Sequence, residues 1–96
     1  MRFAEAWVHH RVERGYGPLR IRQELREAGV DPELTDASLE GAETDWTAQL
    51  RRLREKKFGR KLPVDYSEQA RQSRFLQSRG FPADDIRRLF RDREDT

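Results

Sequence analysis

The sequence predicts an all-α protein, a tandem of two three-helix modules in an elongated array that is right-angled or curved. Two observations support this fold class. Apolar residues recur at helical spacing in about six segments, and glycine or proline separates most of these segments. The pattern of the first half also returns in the second half, which is the signature of an internal repeat. The modules are predicted to cover residues 1–44 and 45–96.

The first module begins with a helix from near Phe3 to Arg14. A sharp turn at Gly15 and Gly17 leads to the second helix, since proline fits the first position of a helix at Pro18. The second and third helices are predicted at 18–28 and about 31–41. The predicted buried residues are Ala4, Val8, Val12, Ile21, Leu25, Ala28, Leu34 and Leu39, with Phe3 and Trp7 flanking the stripe and Arg11 near it.

The second module carries the same three segments. Its helices are predicted at 46–57, at about 67–79 and from Phe81-Pro82 onward, with a loop at 60–65 and a frayed tail at 92–96. Its predicted buried residues are Trp46, Leu50, Leu53, Ala70, Phe75, Leu76, Ile86, Leu89 and Phe90. Trp46 lies on the apolar stripe of its helix, so we assign it to the core and not to base stacking.

The internal repeat is recognised from residues that match between the two halves of the sequence. Tyr16-Gly17 matches Phe58-Gly59 at one spacing, and Gly29-Val30 matches Gly80-Phe81 at a larger one. The second unit therefore holds roughly nine extra residues, within the range 60–68. Tyr16 and Phe58 are predicted to hold together the first two helices of their modules.

Composition excludes several classes of protein. The chain has no cysteine, so disulfides and thiolate metal sites are excluded. No apolar run is long enough for a membrane span, and we expect a soluble, cytoplasmic protein. A net charge of only +2 hides an acidic stretch at 30–45 and a basic stretch at 51–61. These stretches either pair within the fold or present two charged surfaces to partners.

Neither catalysis nor metal binding is indicated by the residues. Gly15 and Gly17 lack the lysine and hydroxyl residue of a phosphate-binding loop, so a helix-joining turn is the better interpretation. Glu5, His9 and Glu13 share a helix face without a further ligand, which favours a solvated face over a metal site. We find no triad of catalytic residues. The sequence predicts a protein that is not an enzyme and holds no cofactor.

Two motifs carry a family resemblance. The run Gly-Tyr-Gly-Pro-Leu-Arg-Ile-Arg-Gln-Glu-Leu at 15–25, followed by Gly29-Val30, closely resembles the middle repeat of RecX regulatory proteins. The run from Arg71 to Phe81 resembles the final repeat of that family. The resemblance implies a bacterial modulator, usually an inhibitor, of the RecA recombinase. It implies an array that lies along the groove of the RecA–DNA filament and impedes ATP hydrolysis and strand exchange, or promotes filament disassembly.

The chain departs from the family pattern at its start. RecX chains usually begin with another three-helix repeat, and this sequence starts inside the next one. A natural short form, a misplaced start and a fragment all fit this departure. We therefore weigh three functions: a regulator that binds RecA, a helical module that binds single- or double-stranded DNA directly, and an inactive fragment. Neither a membrane nor a small-molecule substrate is expected as a partner.

Basic side chains are the candidate contacts to RecA or DNA. Arg22 and Arg26 share one helix face, and Arg11 and Arg14 share another, so a groove between these helices is a plausible cationic surface. The cations of the fourth helix fan around it, with Arg54 and Lys56 nearer the core, which weakens the idea of a single phosphate track. The full candidate set is Arg11, Arg14, Arg20, Arg22, Arg26, Arg51, Arg52, Arg54, Lys56, Arg60 and Lys61.

Overall fold

The computed structural model describes residues 2–91, and this range contains six helices and no strand. The helices are α1 (Arg2–Glu13), α2 (Pro18–Glu27), α3 (Pro32–Gly41), α4 (Trp46–Phe58), α5 (Tyr66–Ser78) and α6 (Ala83–Arg91). The all-α prediction is confirmed. The prediction for the tail at 92–96 lies outside the described residues.

Aspartates fix three of the helix starts. Asp31, Asp45 and Asp65 each accept a hydrogen bond from a backbone N–H of the first turn of α3, α4 and α5, at 3.0, 3.1 and 2.8 Å. The predicted boundaries differ from the observed ones by one or two residues. The largest shift is at α6, which begins at Ala83, with Phe81 and Pro82 in the loop before it.

Each module has its own hydrophobic core. In the first module the buried residues are Ala4, Val8, Ile21, Leu25 and Leu39. In the second they are Leu50, Leu76, Phe81, Ile86, Leu89 and Phe90. One predicted core member is wrong: Ala28 is exposed, because α2 ends at Glu27 and Ala28 is already its C-cap. The tandem of three-helix units is confirmed.

The molecule is elongated. The described Cα atoms extend over 44 × 22 × 20 Å with a radius of gyration of 14.4 Å. A compact domain of this length has a radius of gyration of about 12–13 Å. Trp46 packs against both cores and so lies between the modules.

A second contact between the modules joins the start of α2 to the turn after α5. The N–H of Gly17 donates to the carbonyl of Arg79 at 2.7 Å, and the N–H of Leu19 donates to the carbonyl of Gly80 at 2.9 Å. A Cβ at Gly17 would lie 2.5 Å from the Gly80 oxygen, so only glycine permits this approach. This joint replaces a side-chain cap, because Gly17 caps α2 without any side-chain hydrogen bond.

Candidate partner-binding surface

Arg11 lies between α1 and α2 and not on a free surface. Its Nε and Nη2 donate to the two carboxylate oxygens of Glu24 at 2.9 and 2.7 Å. Its guanidinium also stacks on the ring of Tyr16, with Cζ 3.8 Å from the ring centre. The predicted groove between α1 and α2 therefore lacks Arg11 as a free cation, since Glu24 and Tyr16 hold its side chain inside the module.

Glu24 gathers three donors at this place. Trp7 Nε1 donates to it at 2.9 Å and Arg20 Nε at 3.2 Å, in addition to the two bonds from Arg11. Burial acts to raise the pKa of Glu24, but the hydrogen bonds from Arg11 and Trp7 outweigh it and hold that pKa below its ordinary value. The hydrogen bond to Glu24 in turn raises the pKa of Arg11. The group is a structural clasp between α1 and α2.

Arg54 lies inside the second module. It is 1% exposed, although the sequence analysis included it among the partner contacts, so that interpretation is corrected. Its guanidinium donates to Gln72 Oε1 at 3.1 Å and to the carbonyls of Gly59 and Arg60 at 2.7 and 3.2 Å. Burial lowers the pKa of Arg54 from its ordinary range. These bonds hold the start of the longer α4–α5 loop, where carbonyl groups need a donor.

The polar contacts of Arg54 continue to the surface. Gln72 Nε2 donates to Glu68 at 2.9 Å, and Arg71 grips the same carboxylate through two bonds of 2.9 and 2.7 Å. The hydrogen bonds from Arg71 and Gln72 lower the pKa of Glu68 to about 2. Neither Gln72 nor Glu68 stood out in the sequence. Comparison of the two repeats would have indicated that Gln72 is buried, because it takes the position that Ile21 holds in the first module.

A cationic cleft lies between the end of α1 and α4. It encloses about 360 Å³, and its basic lining residues are Arg14, Arg52 and Lys56. All three side chains are exposed, and no ion pair involves them within residues 2–91. Arg52 donates to Gln49, while Gln49 donates to the carbonyl of Val12 across the floor of the cleft. We name this feature the α1–α4 cleft.

The other candidate cations occupy several surfaces. Arg20 bonds to the Ser78 carbonyl at 3.1 Å as well as to Glu24, and Arg22 forms an ion pair with Asp36 of α3. Arg26 is exposed and has no ion pair among the described residues, although it shares α2 with Arg22. The remaining exposed candidates are Arg51, Arg60 and Lys61.

The acidic and basic stretches do not pair with each other. Across the part of the chain that the structure describes, no ion pair joins an acid of 31–45 to a base of 51–61. Of the alternatives left open by the sequence, the structure supports two separate charged surfaces. The exposed cations Arg51, Arg52 and Lys56 of α4 form no ion pair within residues 2–91, so they are available to an anionic partner.

Features that point to other classes of site are weak. Within residues 2–91, no three histidine or carboxylate side chains are grouped closely enough to hold a metal ion. His9 instead lies 3.3 Å from Glu13, one helical turn away. None of the described helices has the length and apolar character needed to cross a membrane.

Two family models match the chain, and their boundaries follow the two cores. The model of the second three-helix domain of RecX matches residues 1–39, and that of the third three-helix domain matches residues 43–90. The chain belongs to the RecX family. The predicted resemblance is thereby confirmed, whereas the module boundary between residues 44 and 45 stays a prediction.

Relatives in the RecX family include proteins named Regulatory protein RecX. One from Halorhodospira halophila is 56% identical over 86 residues, which are 90% of this chain and 53% of the relative. Others from Serratia proteamaculans and Legionella pneumophila are 44% and 42% identical, cover 95% and 96% of this chain, and match over 54% and 61% of their own length. The chain spans about half the length of these relatives. They are named as regulatory proteins and not as enzymes.

Proposed function

We propose that this chain is the part of a RecX-type regulator that docks on the RecA filament and inhibits its ATPase and strand-exchange activities. Membership of the RecX family supports a regulatory role. The RecA partner follows from what the family resemblance implies. The proposal includes a cytoplasmic location, a protein partner, and no membrane or small-molecule substrate.

The observation that carries the proposal is the unpaired charge of the α1–α4 cleft. Arg14, Arg52 and Lys56 line it without forming an ion pair within residues 2–91, and the one acidic lining residue, Glu13, lies beside His9. Exposed cations held on rigid helices favour association with an anionic surface. In an array 44 Å long, this cleft lies where the two modules meet. A partner seated there would touch both modules at once.

The test is an ATPase and strand-exchange assay of RecA with the wild-type chain and an Arg52→Glu/Lys56→Glu variant. We expect the inhibitory concentration to rise roughly tenfold or more, because reversing two interfacial charges replaces attraction by repulsion. The matched control is Arg74→Glu/Arg91→Glu, which changes two exposed cations of α5 and α6 that do not line the cleft. Equal inhibition by the cleft variant and the control would remove the cleft from the interface.

A second pair of variants tests α2. Arg22→Glu/Arg26→Glu reverses the two cations that the sequence analysis favoured, and breaks the exposed ion pair between Arg22 and Asp36. We expect a folded protein with weaker inhibition, since exposed ion pairs contribute only about 0–1 kcal/mol to stability. Unchanged inhibition would restrict the interface to the α1–α4 cleft.

Direct DNA binding is the second candidate function, and the same unpaired cations favour it. Neutralisation of about four to six phosphates would make DNA affinity fall roughly 10²- to 10³-fold between 50 and 200 mM salt. A regulator that docks on the filament should inhibit RecA at concentrations where it barely binds bare DNA. Tight binding to DNA alone with that steep salt dependence would replace the filament proposal by the DNA-binding one. A folded chain that affects neither RecA nor DNA would be the inactive fragment.

A further inference from the structure

The loop that joins α4 to α5 is longer than its counterpart in the first module. It covers residues 59–65, whereas residues 14–17 are enough to join α1 to α2. The first module therefore shows that a shorter turn can connect this pair of helices. The added residues of the α4–α5 loop are not required by the connection itself.

Buried contacts fix the shape of the α4–α5 loop. Arg54, which is 1% exposed, donates hydrogen bonds to the backbone carbonyls at 59–60, at 2.7 and 3.2 Å. Leu62 packs against the core of the second module, and Asp65 caps the first turn of α5. The loop is thus held at its beginning, in its middle and at its end.

The support of this loop costs stability. Burial lowers the pKa of Arg54, because the fold holds its charge away from water. The Nε of Arg54 is also buried and makes no hydrogen bond within the described residues. The first module has Val12 at the equivalent position and buries no such charge there. A costly buried cation that holds the loop indicates that the loop conformation itself has a use.

The loop presents two apolar side chains that the fold leaves largely uncovered. Val64 is 86% exposed, and Tyr66, the first residue of α5, is 85% exposed. An apolar residue just before a helix cap often packs against the fourth residue of the helix. In α5 that fourth residue is Gln69, which is polar, so Val64 does not have this structural role. Exposed apolar side chains on a fixed loop are typical of a binding surface.

Unpaired cations precede this apolar pair in the loop. Arg60 and Lys61 are exposed, and neither forms an ion pair within residues 2–91. The acids that follow are engaged within the fold, since Asp65 caps α5 and Glu68 is held by Arg71. The surface thus combines an apolar centre with a positive edge. Its complement is an apolar hollow that carboxylates border.

We propose that the α4–α5 loop is a second contact surface for a protein partner, and that Val64 and Tyr66 insert into an apolar hollow bordered by acidic side chains. The inference rests on the function proposed above and takes the RecA filament as that partner. Lys56, which lines the α1–α4 cleft, lies in the last turn of α4, and the loop begins directly after this turn. The cleft would supply charged contacts, and the loop would supply the hydrophobic anchor.

Neither single-stranded DNA nor a second copy of the chain matches the loop in this way. Bases stack on aromatic rings, and Val64 has no ring. The pKa of Glu68 is about 2, so its carboxylate is ionised at neutral pH and would repel a nearby phosphate. Two copies that met through this loop in a symmetric dimer would place one positive edge against another.

The test measures binding of the fluorescently labelled chain to RecA filaments assembled on single-stranded DNA. We expect Val64→Ser/Tyr66→Ser to weaken this binding roughly 30-fold, which is the loss typical of removing the anchor of an interface. Both side chains are exposed, so the variant should fold and melt like the wild type.

The matched control is Phe3→Ser/Leu19→Ser. It also removes one aromatic and one aliphatic side chain, which are 55% and 51% exposed, and it should bind like the wild type. Equal affinities of the loop variant and the wild type would overturn the proposal. Equal losses in the loop variant and the control would overturn it as well.

The salt dependence of binding separates the apolar anchor from its charged edge. Val64→Ser/Tyr66→Ser should leave the salt dependence unchanged, because burial of apolar surface is not screened by ions. Arg60→Glu/Lys61→Glu should weaken binding roughly tenfold at low salt, and the loss should shrink as salt is added. An affinity that this charge reversal leaves unchanged would exclude the acidic border and overturn the proposal.

The remaining outcomes assign the loop to another partner. An equal loss of affinity for bare single-stranded DNA in Val64→Ser/Tyr66→Ser would assign the loop to base stacking and overturn the proposal. Self-association in sedimentation that this variant abolishes would assign the loop to a second copy, with the same consequence. A wild-type chain that binds no RecA filament would overturn the function proposed above together with this inference. Failure of the loop alone would leave filament binding by the wild type intact, so the two failures are distinguishable.

Discussion

The two modules place their polar and apolar pairs in exchanged positions. In the first module Ile21 is buried and Val12 is half-buried against the core, while the half-buried clasp of Arg11 and Glu24 lies beside them. At the equivalent positions, the second module buries the hydrogen-bonded pair Arg54 and Gln72, and the apolar residues Leu53 and Phe75 are half-buried against its core.

The comparison teaches that the three-helix unit tolerates a polar pair in its interior as well as beside it, even though the buried Nε of Arg54 has no hydrogen-bond partner among the described residues. In the first module the guanidinium of Arg11 meets a carboxylate and keeps partial contact with water. In the second module Arg54 has no carboxylate partner among residues 2–91 and relies on carbonyl and amide oxygens. The interior polar pair therefore depends more strongly on each of its bonds, because a buried polar group without a partner is costly.

The largest expected loss of stability follows substitution within the buried pair of Arg54 and Gln72. Arg54→Ala should lower the free energy of unfolding by about 3–5 kcal/mol, since it leaves a cavity and removes the donor from three oxygens. Urea denaturation followed by circular dichroism measures the loss. Arg11→Ala should lower the free energy of unfolding by less. A larger loss for Arg11→Ala than for Arg54→Ala would contradict the stronger dependence of the interior pair on its hydrogen bonds.

A double substitution sharpens the same prediction. Arg54→Val together with Gln72→Ile gives the second module the apolar pair of the first. The double variant should be more stable than Arg54→Ala, because removing both partners of a buried pair is less costly than removing one. It should remain below the wild type, since the carbonyls of Gly59 and Arg60 still lose their donor.

A smaller effect is expected where the two modules are alike. Leu25 and Leu76 hold equivalent positions and are each 0% exposed. Leu25→Ala and Leu76→Ala should each cost about 3 kcal/mol, from lost burial and the cavity that remains. Thermal or urea unfolding measures both. Losses that differ by more than about 1 kcal/mol would show that the modules do not share one core geometry, since equivalent deletions in equally collapsible sites cost alike.

The smallest expected effect is a pH dependence of the stability of the second module. The pKa of Glu68 is about 2 in the folded chain and 4.5 as its ordinary value. A lowered folded pKa stabilises the fold above the unfolded pKa, and this contribution is lost as the pH falls from about 4.5 to about 2. Glu68→Gln should therefore be less stable than the wild type at pH 6, and the difference should shrink toward pH 2. Glu40→Gln, on an exposed helix position, is the control, and the two variants should differ in pH slope.

Much of the fold was predictable because local signals repeat twice. Asp31 with Pro32 marked a helix start, Trp46 fell on an apolar stripe, and both assignments are confirmed. The destination of arginines was not predictable, since a guanidinium is stable on a surface or inside a fold according to its partners. Helical spacing placed Arg54 nearer the core, but its full burial depends on the loop carbonyls at 59–60, which helical spacing does not reveal. A closer comparison of the repeats would have found it, because Val12 occupies the matching position.

The candidate contact surface was predicted only in part, for the same reason. The sequence predicted that basic residues of α2 and α4 were available, yet it grouped Arg11 with Arg14 on one face. Their side chains separate because Glu24 draws Arg11 toward α2, while Arg14 extends beyond the helix end into the α1–α4 cleft. The joint of Gly17 with Gly80 was also missed, since the repeat matches each glycine to a counterpart in the other module and not to its contact.

Trp46 belongs to both hydrophobic cores, which has a consequence for folding cooperativity. Unfolding of either module would expose part of this indole and leave the other core with an open side. The hydrogen bonds that the N–H groups of Gly17 and Leu19 donate to the carbonyls of Arg79 and Gly80 couple the two modules in the same way. In repeat proteins such nearest-neighbour terms make adjacent units melt as one. The chain should therefore unfold in a single transition, with Trp46 fluorescence reporting both modules together.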